Sequence, residues 1–215
     1  MGDLHEPLSS LALQLERAHR RLLEKRLLCA DEDAVSVLLP GRGRMLYRSR
    51  SDAAPGELSL TGSSGAAALH AEVYRLRADA GALASVTTEA SERLSASGVH
   101  VPIVFDEQAR HIGDAWPNAG AAQLHSALSA GANAGLIEGR LLVIGVTPSR
   151  MIFNAELFDK SAQAYLLARG EAPGRKTHLV PWWVRLIAGR RLRRDQAMAA
   201  RCHAEGREAP ELTAY

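Results

Sequence analysis

Apolar residues recur at helical spacing in two long segments of the chain, residues 9–28 and residues 149–170. The two apolar stripes consist of Leu11, Leu15, Ala18, Leu22 and Leu23 in the first segment, and of Ile152, Ala155, Leu157, Phe158, Ala162, Tyr165 and Leu166 in the second. Residues three or four apart lie on one face of an α-helix, so each segment is predicted to be a helix with one buried face. Ser9 or Ser10 can cap the first helix, and Gly170 is a suitable stop for the second.

Between these helices the pattern changes to short β-prone runs. A hairpin is predicted over residues 34–50, where two such runs flank the turn signal Pro40-Gly41-Arg42-Gly43. Further strands are predicted at 57–60, 82–88 and 100–106, with a strand pair or one bent strand at 135–145, and further helices at 66–79, 89–97 and 120–132. Short strands mixed with helices, without regular βαβ spacing, predict an α/β protein of the α+β type: three αβα layers around a central, mainly antiparallel sheet.

Length and composition narrow the class of protein. The chain has 215 residues, of which 47% are apolar, which suits one large domain with a tail. The net charge of +2 gives no general attraction to nucleic acid, and two distant cysteines do not form a disulfide framework. The N-terminus is polar, and no apolar run has the length of a membrane span. We therefore expect a cytoplasmic protein without a membrane partner.

Four segments, taken in order, resemble a known family. "ALHAEVYRLRADAGALASVTT", "GVHVPIVFDEQARHIG", "GRLLVIGVTP" and "NAELFDKSAQAYLLA" are similar to the corresponding segments of the class II aldolase/adducin family, which includes fuculose-phosphate aldolase, ribulose-phosphate 4-epimerase and the adducin head. The resemblance runs from about residue 9 to residue 169. It implies a class II aldolase-like domain over 1–170, followed by a C-terminal tail over 171–215, and a homo-oligomer, most often a tetramer with the site at a subunit interface.

The same resemblance implies a metal site, and the residues that form it are replaced here. The family binds zinc through two histidines in a His-x-His motif and a third before the next strand, and its catalytic acid is a glutamate at the start of a helix. The matching positions here carry Ser85, Thr87 and Gly139 for the histidines, and Ala66 with its neighbour Gly65 for the glutamate. Hydroxyls are poor ligands for a transition metal, so neither zinc nor another cofactor is expected.

An anion site is a second hypothesis from the same comparison. Ser63 and Ser64 lie in a loop before a predicted helix, where backbone N–H groups favour anions. Arg48 and Arg50 can add charge-assisted hydrogen bonds. Arg140 is expected to point into the site and to supply a positive charge where the family has a cation. The alternative is that the serine loop is a flexible connector.

Two other arrangements remain open. Four histidines in the family-like region, His70, His100, His111 and His125, allow a rebuilt metal site, although their spacings match no ligand motif. Glu138 is placed to act as a base in a non-metal site, or is an exposed turn residue. The chain is therefore interpreted as a degenerate class II aldolase-like protein that acts in binding or assembly. The alternative is an active lyase, epimerase or decarboxylase on a sugar phosphate or hydroxy-carbonyl compound.

The tail combines aromatic and basic residues: Trp182 and Trp183, then Arg185, Arg190, Arg191, Arg193 and Arg194. Such a segment is able to bind RNA or an anionic surface. The other interpretation is that the tryptophans anchor the tail on the core or on a neighbouring subunit, while the arginines form a solvated face and pair with acids such as Asp195. Charge runs usually are solvated faces, so we expect the second arrangement and no nucleic-acid partner.

Overall fold

A single β-sheet forms the centre of the computed structural model, which describes residues 5–171 and 179–211. The seven strands within these ranges are β1 (Ala34–Leu39), β2 (Arg44–Ser49), β3 (Gly56–Ser59), β4 (Ala82–Val86), β5 (Trp116–Ala119), β6 (Ala134–Ile137) and β7 (Arg140–Gly145). Their order in the sheet is β3-β2-β1-β4-β7-β6-β5. Every pairing is antiparallel except that of β5 with β6. The predicted mainly antiparallel sheet is confirmed.

Helices flank this sheet. They are α1 (His5–Glu24), α2 (Ala66–Leu76), α3 (Glu89–Ser97), α4 (Asp106–His111), α5 (Leu124–Ser129), α6 (Pro148–Glu171) and α7 (Trp182–Ala204), and a short 3₁₀ turn (Ala121–Gln123) precedes α5. Within the described residues, no helix combines the length and the apolar character needed to cross a bilayer.

Strand alternation divides the core into two layers, one on each face of the sheet. On one face, side chains such as Ala84 of β4 pack with Leu15 of α1 and Phe158 of α6. On the other face, Leu83 of β4 packs with Tyr74 of α2. Successive strand residues point to opposite faces, so each strand contributes to both layers. The three-layer αβα arrangement predicted from the sequence is confirmed.

The helix with the strongest pattern, α6, packs closely on β7. Ala155, Phe158 and Ala162 of its predicted stripe are buried. The approach is so close that a β-carbon at Gly145 would lie 2.2 Å from the backbone nitrogen of Met151. A glycine is therefore required where this strand meets the helix.

The strand predicted at 100–106 is wrong. Pro102 has no N–H group to donate to a sheet, and the side chain of Gln108 satisfies the surrounding backbone instead. Its amide oxygen accepts from the N–H of Val104 at 3.1 Å, and its amide nitrogen donates to the carbonyl of Pro102 at 3.1 Å. Segment 100–106 therefore leads directly into α4.

Two other elements differ from the prediction. The helix predicted over 120–132 is shorter, since only the 3₁₀ turn and α5 form there. The strand β5 before it was not predicted, and it carries the buried Trp116.

The end of the described chain, α7, packs on α4 and on the edge of the core. Asp195, expected to pair with tail arginines, pairs instead with Arg110 of α4 at 2.6 Å. The side chain of Gln196 donates to the carbonyl of Gly131 at 2.7 Å, and the imidazole of His203 donates to the carbonyl of Ala78 at 2.9 Å. These contacts hold the middle and the end of α7 on the same chain.

Candidate functional site

Four buried polar side chains form a continuous hydrogen-bonded cluster between α2 and the centre of the sheet. The imidazole of His70 lies 2.7 Å through Nδ1 from Oγ of Ser36 and 2.9 Å through Nε2 from Oγ of Ser85. Oγ of Ser36 is also 2.9 Å from the hydroxyl of Tyr74. His70, Ser36 and Ser85 are at most 1% exposed. We call these four residues the His70 cluster.

Local structure explains why these residues meet. His70 and Tyr74 are four apart on α2 and therefore share one helix face. In the antiparallel pairing of β1 with β4, Ala34 lies opposite Ser85, which makes Ser36 and Ser85 diagonal neighbours on one face of the sheet. The helix face and the sheet face then enclose the imidazole between two hydroxyls.

The cluster is electrically neutral. Burial, and to a smaller extent the nearby positive charge of Arg140, lower the pKa of His70 to about 3. Burial raises the pKa of the Tyr74 phenol, although the hydrogen bond with Ser36 opposes this. A neutral imidazole donates through one nitrogen and accepts through the other, so two serine hydroxyls satisfy both.

Arg140 lies beside this cluster and contacts the backbone of Ser85. Its Nη2 donates to the carbonyl of Glu32 at 2.7 Å, to Oδ1 of Asp33 at 3.1 Å and to the carbonyl of Ser85 at 3.4 Å. Asp33 is fully buried, and its second carboxylate oxygen accepts from the N–H groups of Cys29 and Ala30 at 2.7 and 2.9 Å. The guanidinium is therefore anchored beside the end of β4.

One donor of Arg140 is left over. Its Nε is buried and has no hydrogen-bond partner in the described part of the chain. The side chain as a whole is 23% exposed. The structure thus places a cation, with an unused N–H, next to Ser85.

The β6–β7 turn brings Arg140 into position. Glu138 and Gly139 have φ angles of 51° and 84°, both in the left-handed region that a tight two-residue hairpin turn requires. Glu138 is exposed at the tip of this turn. A β-carbon at Gly139 would lie 3.1 Å from Oγ of Ser95 in α3. A side chain at Gly139 would thus begin beside α3, and it is the next residue, Arg140, that contacts Ser85.

The other candidate positions near α2 and β4 offer few functional groups that are free to bind a ligand. Thr87 follows the last residue of β4 and is half-buried. Gly65 precedes α2 with a φ angle of 58°, and Ala66, the first residue of α2, lies one turn before His70. Ser63 donates from Oγ to the carbonyl of Ser59 at 2.5 Å, so its hydroxyl proton is already used.

The other anion-binding candidates lie apart from the cluster. Ser64 is exposed in its loop. Arg48 forms an ion pair with Glu16 of α1, and α1 covers the opposite face of the sheet from His70. Arg50 pairs with Asp31 at 2.8 Å on the surface. Of the three arginines considered from the sequence, the structure brings only Arg140 to Ser85.

The other histidines are not grouped. The imidazole of His100 donates to the carbonyl of Ala115 at 2.6 Å, and Nδ1 of His111 lies 2.9 Å from Nη1 of Arg150. His125 is exposed on α5. Across residues 5–171 and 179–211, no group of three or more His, Cys, Asp or Glu side chains is placed to hold a metal ion.

The residues at the family's metal positions do not fit zinc. Ser85 and Thr87 offer hydroxyls, which are weak zinc ligands compared with imidazole or thiolate. The one nearby imidazole, His70, has both nitrogens in hydrogen bonds to serines. Arg140, paired with the buried carboxylate of Asp33, lies beside the same position, and a guanidinium has no lone pair to give to a metal. The mismatch between these residues and zinc therefore lies in the donor set.

Three members of the site were missed from the sequence: Ser36, Tyr74 and Asp33. A polar residue in an otherwise apolar strand, such as Ser36 in "AVSVLL", is a signal that was available, because a buried hydroxyl needs a partner. Its partners, His70 and Tyr74, come from α2 and lie 34 and 38 residues away in the chain, so they are not a local property of the sequence.

Comparisons with solved structures identify the fold. The L-fuculose 1-phosphate aldolase of Glaciozyma antarctica PI12 is similar over 98% of this chain and 96% of its own, with a TM-score of 0.72 and 14% identity. YgbL of Klebsiella pneumoniae, described as an aldolase/epimerase/decarboxylase, is similar over 84% of this chain and 98% of its own, with a TM-score of 0.70 and 16% identity. An aldolase II superfamily protein of Pseudomonas syringae covers 86% of this chain and 84% of its own, with a TM-score of 0.70 and 14% identity.

These likenesses confirm the class II aldolase fold that the sequence resemblance predicted, at sequence identities that show the fold alone. No protein-family model matches the chain, and no curated protein sequence matches it.

Proposed function

We propose that this protein uses the class II aldolase fold for binding or assembly and does not carry out zinc-dependent aldol chemistry. The observation that carries the proposal is the contact of Ser85 with both His70 and Arg140. Its hydroxyl is 2.9 Å from Nε2 of His70, and its carbonyl is 3.4 Å from Nη2 of Arg140. The polar atoms at this position already have partners from the same chain, and the adjacent cation, Arg140, is paired with the carboxylate of Asp33.

The ligand that this arrangement favours is a small anion. Arg140 combines partial exposure with a buried Nε that has no partner among the described residues. A guanidinium binds carboxylate or phosphate oxygens in a fork. Asp33 and the carbonyl of Glu32 hold one end of the guanidinium, which fixes its direction. The anion would therefore approach from the end of β4 and the β6–β7 turn.

An active lyase, epimerase or decarboxylase requires an acid or base that the substrate reaches. The names of two fold neighbours, an L-fuculose 1-phosphate aldolase and an aldolase/epimerase/decarboxylase, refer to such activities. The resemblance matches Gly65 and Ala66 to the position of the acid, and Glu138 lies exposed in a turn. His70 is fully buried with a pKa of about 3, which makes it a weak base at neutral pH. These observations favour the binding function.

Metal analysis tests the first half of this proposal. Protein purified after expression in zinc-supplemented medium is expected to carry far less than one zinc per chain, and added zinc is expected to bind without saturation at a single site. About one tightly bound zinc per chain, lost on Ser85→Ala or on substitution of His70, His100, His111 or His125, would overturn the proposal.

Binding of inorganic phosphate tests the second half. Phosphate is expected to bind the purified protein, and Arg140→Gln is expected to remove this binding. Arg42→Gln is a matched control, because Arg42 is an exposed arginine in the β1–β2 turn. Equal phosphate binding by both variants would place the anion elsewhere. Light scattering of the same sample is expected to give a homotetramer, and a monomer mass would contradict the assembly proposal.

A further inference from the structure

The first two turns of α7 and the residues just before it present large apolar side chains to solvent. Leu179, Trp182, Trp183, Leu186 and Ile187 are 42% to 69% exposed and lie within one short segment. The other exposed large apolar residues of the described chain are spread along α1 and α6: Leu13, Leu23, Phe153 and Leu167. Single exposed apolar residues are normal on protein surfaces, whereas a contiguous group indicates an interaction site.

Helix geometry places most of this group on one side. Trp182 is followed by the exposed apolar residues Trp183, Leu186 and Ile187 one, four and five positions on, so the four side chains share the outward face of the first two turns. The inward face carries Ala188 and Leu192, which are buried. The inward face already accounts for the packing of α7 on its own chain.

The next two turns of the outward side are basic. Arg190, Arg193 and Arg194 are exposed there, and Arg185 and Arg191 are exposed beside them. The only acid of α7, Asp195, is held by Arg110 of α4. Arg190, the first basic residue of this outward side, lies about 12 Å along the helix from Trp182, at a rise of about 1.5 Å per residue. We call the five apolar residues and these five arginines the Trp–Arg surface.

We propose that the Trp–Arg surface docks on an anionic phospholipid bilayer. Tryptophan favours the boundary between headgroups and acyl chains, because its ring is largely apolar and its N–H donates a hydrogen bond. Leucine and isoleucine side chains gain free energy by entering the same layer, and arginines one or two turns away are attracted to lipid phosphates. The surface has the aromatic, aliphatic and basic groups that such an interface requires, and it has them on one side.

Two other occupants, a second copy of this chain and single-stranded RNA, fit the Trp–Arg surface less well. In a two-fold contact between copies of this chain, the same five arginines would face one another without a compensating acid in the surface. Single-stranded RNA would use the arginines and stack on the tryptophans, but it would leave Leu179, Leu186 and Ile187 without an apolar partner.

The contact would be peripheral. Within the described residues no helix is suited to cross a bilayer, and the middle of α7 is fixed to its own chain through Asp195 and Gln196. Only the start of α7 is therefore free to enter the headgroup layer. This inference does not rest on the proposed function. Trp182 and Trp183 are 69% and 54% exposed, which argues against the alternative that they anchor the tail on the core. The proposal therefore replaces the expectation, drawn from the sequence, that the protein has no membrane partner.

Vesicle cosedimentation of the full-length protein tests the proposal. Phosphatidylcholine vesicles that contain phosphatidylglycerol are expected to bind the protein, pure phosphatidylcholine vesicles to bind it weakly, and high salt to release it. Trp182→Ala with Trp183→Ala is expected to lower the partition coefficient about tenfold or more. Arg190→Glu with Arg194→Glu is expected to remove the preference for anionic lipid.

Matched controls separate binding by this surface from non-specific hydrophobic adsorption and from an effect of net charge. Leu13→Ala with Leu167→Ala removes two other side chains that are 58% and 61% exposed. Arg20→Glu with Arg42→Glu makes the same change in net charge on exposed residues outside α7. Both control variants are expected to bind vesicles as the unmodified protein does, and circular dichroism checks that all four variants are folded.

Several results would overturn the proposal. Absence of binding to anionic vesicles would do so directly, as would equal losses in the control variants. If the tryptophan variant changes the oligomeric mass in light scattering while vesicles are not bound, the surface is an interface between copies. Quenching of tryptophan fluorescence by single-stranded RNA, without vesicle binding, would assign the surface to nucleic acid.

Discussion

The His70 cluster and the Trp–Arg surface are opposites in how their side chains are satisfied. In the cluster, polar groups are buried, and His70 finds partners for both ring nitrogens in Ser36 and Ser85. On the surface, apolar groups such as Trp182 are exposed and the arginines face solvent. Buried polar groups cost free energy unless they are paired, so the cluster contributes to the fold. Exposed apolar area retains free energy that burial against a partner would release.

The largest effect is expected from removing the centre of the cluster. His70→Leu leaves the hydroxyls of Ser36 and Ser85 buried without the imidazole, and we expect the free energy of unfolding to fall by about 2–4 kcal/mol. Denaturant unfolding measures this. The matched variant is His125→Leu, since His125 is exposed on α5, and its effect is expected within about 0.5 kcal/mol. Equal effects in the two variants would mean that the cluster does not stabilise the fold.

A smaller loss is expected from Arg140→Gln. This variant leaves the buried carboxylate of Asp33 without its cation, although two backbone N–H groups still donate to it. The expected loss is about 1–3 kcal/mol, and Asp33→Asn in the same background should cost less than it does alone, because the two residues interact. Strictly additive losses in a double-mutant cycle would show that the ion pair contributes nothing.

Stability is expected to depend on pH through His70. Its pKa is 6.5 in the unfolded chain and about 3 in the folded protein, so below pH 6.5 the unfolded state binds a proton that the folded state does not. The free energy of unfolding therefore falls as pH drops from 6.5 toward 3. His111, with a pKa lowered to about 4 by burial and then by Arg150, acts in the same direction. Unfolding curves of His70→Leu should show a flatter pH dependence than those of His125→Leu. Parallel curves would contradict a buried neutral imidazole.

The smallest effect on stability is expected from the Trp–Arg surface. Trp182→Ala and Trp183→Ala remove side chains that are 69% and 54% exposed, and each should change the free energy of unfolding by less than about 0.5 kcal/mol. Thermal melting in the absence of lipid measures this. A loss of several kcal/mol in a dilute sample would mean that the tryptophans are buried in solution, on the core or in an oligomer.

The elements with a strong local pattern could be predicted from the sequence. The stripes of α1 and α6 lie in the core, apart from Leu23, which is 38% exposed, and the hairpin and the strand pair are present. The prediction of a strand at 100–106 failed for two reasons. Pro102 argued against a strand from the start, but the role of Gln108 depends on a side chain that folds back onto the backbone.

The candidate site could be predicted only in part, because some of its contacts depend on how separate segments of the chain pack together. The contact of Arg140 with Ser85 follows from a tight turn beside a neighbouring strand, and the resemblance placed both residues. Arg48 was expected near the site but lies on the other face of the sheet. It follows Tyr47 on β2, and successive strand residues point to opposite faces. The partners of His70 depend on the pairing of β1 with β4, which forms between segments far apart in the chain.

We propose above all that the His70 cluster is closed and neutral and does not bind zinc. The ¹⁵N chemical shifts of the His70 imidazole report its protonation, tautomer and metal ligation directly, and Ser36→Ala supports the assignment. We expect shifts of a neutral imidazole between about pH 5 and pH 8, with no change as zinc is added to one equivalent per chain. A saturable shift of a His70 nitrogen upon zinc addition, or titration of the ring near pH 6.5, would contradict the account.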